Sequence, residues 1–212
     1  TSFKDFYNDW SLRLKDKPIL FAEFGFGAGG EDVKTGNRQG LHLHSALWTA
    51  PFVGYASTAM YWWWDSYVHP LNLWPEFSKL NRFFEGEDLA TFAPVKVSTS
   101  VRNFPVHALG APDHALLWIH DRQYSANAMQ GAYDKLVREG QTPQSDWIYM
   151  PAPITDLTVT FDTLQDGPYT VKWYSPISGE WLEETSLTVT GGTGTLAVPE
   201  FQGELAAKIV QP

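Results

Sequence analysis

The sequence predicts an α/β unit followed by an all-β domain. Three observations carry that reading. A short apolar run, Ile19 to Ala22, closes on Glu23-Phe24-Gly25 and is followed by a helix-like stretch and a second apolar strand. Runs of this length, bounded by turn formers, belong to strands buried on both faces, as in parallel sheets. From about Ala90 the pattern changes to short strands separated by turn residues, the mark of antiparallel sheets. Finally, 212 residues with 43% hydrophobic and 18% charged side chains suffice for one large or two small domains with a buried core.

Phe3, Phe6, Tyr7, Trp10 and Leu14 recur at helical spacing, which predicts an amphipathic helix ending near Lys17-Pro18. The strand Ile19 to Glu23 follows, and Phe26 to Arg38, rich in glycine and polar residues, is a long loop at its Glu23 end. No Gly-Lys-Ser/Thr follows those glycines, so they do not read as a phosphate cradle. Gln39 to Val53 is a helix with Leu41, Leu43, Ala46, Leu47 and Ala50 on its apolar side. His42 and His44 are two apart and face different sides of that helix, which favours hydrogen-bonded histidines over a metal site. Gly54 to Trp64 is the second strand, with Met60, Trp62 and Trp64 on one face and Ala59, Tyr61 and Trp63 on the other. A loop beginning at Asp65 and a closing helix, Pro75 to Glu85, end the α/β portion.

Eight short strands are expected beyond it: Val95–Val101, Val106–Leu109, Ala115–His120, Thr155–Phe161, Tyr169–Tyr174, Glu183–Val189, Gly194–Val198 and Leu205–Val210. Their spacing reads as a β-sandwich. Tyr124 to Gly140 is a helical or irregular insertion between two of them. Trp118 and Trp173 alternate with apolar neighbours and belong in the core. Trp147 and Trp181 lie near turns and suit a surface platform or a domain interface.

Composition removes several function classes. A net charge of −9 argues against nucleic acid or an anionic membrane surface as partner. Zero cysteines remove disulfides, thiol catalysis and thiolate metal sites together. No run approaches the ~18 apolar residues of a membrane span. The chain opens inside a predicted helix, as a fragment or processed product would, so secreted, periplasmic and cytoplasmic placements all stay open. Ten tryptophans among 15% aromatic residues suit sugar stacking and core packing alike.

The residues K-P-I-L-F-A-E-F-G, then G-L-H-L-H-S-A-L-W-T-A, then T-A-M-Y-W-W-W-D-S-Y, resemble the last two strand-helix units of a retaining glycoside hydrolase of the (β/α)8-barrel clan whose nucleophilic Glu ends the seventh strand. The resemblance covers roughly residues 1–89. The stretch D-G-P-Y-T-V-K-W-Y-S-P-I-S-G-E-W, with F-Q-G-E-L-A-A-K-I at the end, resembles the C-terminal accessory sandwich of many such hydrolases. The implied fold is a partial (β/α)8 barrel over 1–89 followed by an antiparallel β-sandwich over 95–212. The implied activity is hydrolysis of β-linked oligo- or polysaccharide by double displacement, without a cofactor. The rival reading is a non-catalytic carbohydrate- or protein-binding accessory module.

Retaining hydrolysis needs two carboxyl groups about 5–5.5 Å apart, one a nucleophile and one an acid/base. Glu23 stands at a strand end, where barrel enzymes keep their chemistry, and the resemblance makes it the nucleophile; a structural salt bridge is the bland alternative. Trp62 matches the family position of the subsite holding the cleaved sugar, and Trp64 shares its predicted face. Asp65 is a candidate to hydrogen-bond the sugar, and Phe26, Tyr67 and Trp74 are candidate cleft aromatics. The family's acid/base follows an Asn, and no Asn-Glu pair occurs in this sequence. Glu31 lies in the long loop, and Glu76 lies in a helix first turn, where carboxylates are ordinary dipole partners. The acid/base is therefore expected from an N-terminal barrel segment or a second chain, which would also cover the open edges of a two-stranded parallel sheet.

Overall fold

A computed structural model describes residues 11, 17–25, 38–57, 60–111, 113–144, 146–162 and 164–212. The expected first helix and the glycine-rich loop through residue 37, with Phe26 and Glu31, lie outside the described residues.

Strand β1 (Glu23–Phe24) and strand β2 (Met60–Tyr61) pair in parallel, Glu23 opposite Met60 and Phe24 opposite Tyr61, with a further bridge from Leu20 to Ser57. Helix α1 (Leu41–Phe52) connects them. β1 is shorter and more open than a strand buried on both faces. Ile19, Phe21 and Phe24 pack towards α1 and the Tyr55 and Tyr61 rings, whereas Leu20 is 59% exposed. The predicted second strand is also cut short. Its last ladder bond is Trp62 N–H to the Phe24 carbonyl, and the chain then turns into a π-helical segment, Trp64–Val68.

α1 is apolar almost all round, as a helix buried between two layers must be. One side meets β1 and β2. The other meets α2 (Pro75–Phe84) and the large sheet, with the Trp48 ring 5.2 Å from Phe83 and 6.1 Å from Trp118. α2 begins with proline, which lacks the N–H that a first turn leaves unbonded, and turns Leu80 and Phe83 inward.

The remaining strands are β3 (Ala93–Pro94), β4 (Val97–Thr99), β5 (Val106–Ala111), β6 (His114–His120), β7 (Thr158–Phe161), β8 (Gly167–Ser175), β9 (Glu180–Val189), β10 (Gly194–Ala197) and β11 (Glu204–Val210). They form two antiparallel sheets, of order β3-β5-β6-β11-β8-β9 and β10-β7-β4. Helix α3 (Ala126–Arg138) is the insertion after β6, capped by the Ser125 hydroxyl, which accepts from Ala128 N–H.

Period-two alternation gives the central strands two buried faces. Ala115, Leu117 and Ile119 of β6, with Leu205, Ala207 and Ile209 of β11, join Val159 and Phe161 of β7 in the core between the two sheets. Leu116 and Trp118, with Ala206 and Tyr174, face the helices and share a core with Leu43, Trp48 and Phe83. Trp118 and Trp173 are therefore both interior, Trp173 donating its ring N–H to the Thr185 hydroxyl at 2.9 Å. Trp181 lies against Phe83 and Tyr174 at the helix–sheet junction.

Gly203, just before β11, has φ +70°, and a Cβ there would lie 2.9 Å from both Ile177 Cδ1 and Tyr124 Cγ. Left-handed strain and overpacking each cost on the order of 1–3 kcal/mol. Gly203→Ala is therefore expected to lower stability by about 2–6 kcal/mol, measured by urea unfolding.

Candidate active site

The parallel pairing of β1 and β2 brings Glu23 beside the aromatic run that continues from β2. Ala22, Glu23, Tyr61, Trp62, Trp63, Trp64 and Asp65 line a single cleft of about 380 Å³, a size within the range of small-ligand sites. Trp62 and Trp64 are half-exposed, at 53% and 51%. Among the described residues no cation pairs with the Glu23 carboxylate, so the salt-bridge reading finds no partner there.

The route of the chain differs from strict strand alternation. Because β2 ends at Tyr61, Trp63 does not point behind a strand: it touches the core edge and also lines the cleft, its ring 6.4 Å from Trp62 in an edge contact. The π-helical segment is closed by Val68 N–H to Trp63 C=O and His69 N–H to Trp64 C=O. It leaves Trp64 and Asp65 outside and swings Tyr67 and Val68 inward. Tyr67, a candidate cleft aromatic in the sequence, is wholly buried against Tyr61 with ring centroids 5.3 Å apart. Burial pushes its phenol far above the ordinary tyrosine value. Trp74 packs on Phe77 and donates to His69 at 3.3 Å.

Behind the cleft, His42 Nδ1 lies 3.1 Å from the Tyr61 hydroxyl. Burial lowers its pKa to about 4, so the ring is neutral at neutral pH and fixes Tyr61 by a hydrogen bond rather than a charge.

A second polar group, not linked by any local sequence pattern, lies deep in the helix–sheet layer. His44 is buried, with Nδ1 2.7 Å from Glu76 Oε2 and Nε2 2.7 Å from Glu204 Oε2. Lys79 donates to Glu76 Oε1 at 2.6 Å, and Trp118 Nε1–H donates to Glu204 Oε2 at 3.1 Å. Glu76 is thus more than a dipole partner of its helix. The available signal was Glu204 itself, a carboxylate in register with helix-facing Ala206 and Lys208, since a charge at a buried strand position requires a partner.

Comparison with solved structures finds this fold in parts of several chains, two glycoside hydrolases among them. One is a glycoside hydrolase family 5 protein from Bacteroides vulgatus, matched at a TM-score of 0.54 and 13% identity over 98% of this chain and 44% of that one. The other, described as a glycoside hydrolase, is matched at a TM-score of 0.52 and 11% identity over 98% of this chain and 46% of that one. The chain spans less than half the length of either. No protein-family model matches the chain, and comparison with curated proteins finds no match. At such identities the likeness is one of fold: a glycoside hydrolase-like arrangement of helices and sheets.

Proposed function

We propose that this chain carries the nucleophile half of a retaining glycoside hydrolase acting on β-linked oligo- or polysaccharide. In this reading residues 1–89 are the last two strand-helix units of a (β/α)8 barrel and 95–212 its accessory β-sandwich. The observation that supports it most is the cleft in which Glu23 stands beside Trp62, Trp64 and Asp65 with no cation paired to it among the described residues. Glu23 attacks the anomeric carbon, Trp62 and Trp64 offer ring faces to the sugar, and Asp65 hydrogen-bonds its hydroxyls. Water activated by a second carboxylate then hydrolyses the glycosyl-enzyme.

That second carboxylate is assigned to an N-terminal barrel segment or a second chain. Among the described residues β1 and β2 pair only with each other, and Leu20 beside them is exposed, as an unpaired sheet edge awaiting cover would be.

The test needs no acid. In a 2-deoxy-2-fluoro glycoside with a dinitrophenolate leaving group, the carboxylate oxygen bonds to the anomeric carbon as the C–O bond breaks. Phenolate departs with the electron pair and needs no proton. Mass spectrometry after exposure to a panel of such β-glycosides is expected to find one glycosyl unit on the peptide holding Glu23. No adduct with any sugar, alongside measurable polysaccharide binding, would favour the accessory-module reading instead. Trp62→Ala is expected to slow labelling about tenfold, the equivalent of ~1.4 kcal/mol. Because that ring is half-exposed, the stability of this variant should change little, within about ±0.5 kcal/mol.

A further inference from the structure

The His44 group has a geometry that requires a particular protonation state. Each ring nitrogen lies 2.7 Å from a carboxylate oxygen. An ionised carboxylate has no proton to give, so both ring nitrogens must be donors, as they are only in the imidazolium. The alternative, a neutral ring with one protonated glutamic acid, is opposed on both sides. Lys79 holds Glu76 as an anion at 2.6 Å, and the Trp118 N–H bonds the Glu204 oxygen that faces His44. The four charges of Lys79, Glu76, His44 and Glu204 then cancel.

The group also joins layers. His44 belongs to α1, Glu76 and Lys79 to α2, and Glu204 to β11 of the six-stranded sheet. The other titratable groups interacting with it are His120 at the end of β6, whose Nδ1 lies 3.8 Å from Glu204 Oε1, and the phenols of Tyr67, Tyr124 and Tyr174, while Asp121 and Arg122 in the turn after β6 act on His120. Burial lowers the pKa of His120, so it is a poor substitute cation.

We propose that His44 is a protonation-dependent clasp fastening the two helices to the sheet. With two ring protons it holds Glu76 and Glu204 together, and with one it leaves a buried carboxylate facing a nitrogen lone pair. The junction between the helices and the sheet is then closed at neutral pH and loosens in alkali. The carboxylates outweigh the burial that opposes the charge and raise the pKa of His44 to about 9, which sets the range of the test.

In ¹⁵N–¹H spectra of the full chain, the His44 ring is expected to keep both protons to pH 8 and to lose one with a midpoint near 9. Tryptophan emission, to which Trp48, Trp118 and Trp181 contribute at this junction, should shift over the same range. A singly protonated ring at pH 8 would overturn the proposal, as would ring deprotonation without any change in emission or thermal midpoint. His44→Gln, which bonds without titrating, is expected to flatten the fall in thermal midpoint between pH 8 and 10. An equally steep fall in that variant would also overturn it. The spectral test on the unaltered chain stands even where the variant does not fold.

Discussion

Replacing Glu23 by glutamine is expected to abolish covalent capture of the fluoro-glycoside, slowing it on the order of 10⁴-fold or more, the scale seen when a nucleophile is removed. Glutamine keeps the shape and loses the charge, and a neutral amide oxygen does not displace a phenolate. The carboxylate is exposed at the cleft and unpaired among the described residues, so the substitution removes no structural bond there. The stability should therefore stay within the range of an ordinary surface change, about ±0.5 kcal/mol. Glu23→Asp retains the charge but retracts it by one methylene. A misplacement of about 1 Å costs on the order of 10²-fold, so this variant should label slowly rather than not at all. Labelling of Glu23→Gln at the unaltered rate would remove the residue from the chemistry, and an adduct on Asp65 in either protein would transfer the role across the cleft.

The parts of the fold that repeat a local period are readable from the sequence alone. Alternation in His114–His120, Gly167–Ser175 and Glu204–Val210 sets which residues face the second sheet and which face the helices, and it puts Trp118 and Trp173 in the interior. The apolar spacing of α1 and the proline at the start of α2 mark both helices within a residue or two. Glu23 is legible as a candidate because a carboxylate ending an apolar run breaks the pattern around it.

The path of the chain beyond Tyr61 is not legible in this way. Trp62, Trp63 and Trp64 continue an apolar, aromatic run with high strand preference, but among the described residues the last ladder bond is Trp62 N–H to the Phe24 carbonyl, and the chain then turns. The same turn buries Tyr67, whose place in the sequence suggests a loop. His44 and Glu204 stand 160 residues apart, and no local pattern links them. Their pairing depends on α1 packing across β11, a long-range consequence of two faces each burying an apolar surface. In the sequence they are two unmatched polar residues, and only the packing makes them a pair.

That pairing gives the largest expected effect on stability. Glu204→Leu leaves the His44 imidazolium with one carboxylate and strands the Trp118 N–H in the core. Breaking a buried ion pair from one side costs about 3–5 kcal/mol. For a chain of this size each kcal/mol moves the midpoint by roughly 2–4 °C, so the variant should melt roughly 6–20 °C lower at pH 7. The sign of the pH dependence is fixed by the direction of the shift. The pKa of His44 is raised from 6.5 to about 9 on folding. The stability it contributes, about 3 kcal/mol, is fully present below pH 6.5 and is lost as pH rises through 9. The gap between the unaltered chain and Glu204→Leu should accordingly narrow between pH 8 and 10, because the former loses its charge there while the latter has already lost the carboxylate that held it. Glu76, whose pKa is lowered by its bonds to His44 and Lys79 despite the burial that opposes them, acts in the opposite direction and weakens the junction as pH falls through the carboxylate range. Adding His44→Leu to Glu204→Leu removes the unpaired cation as well and should recover part of the loss. Strict additivity of the two substitutions in urea unfolding would mean that the residues do not interact.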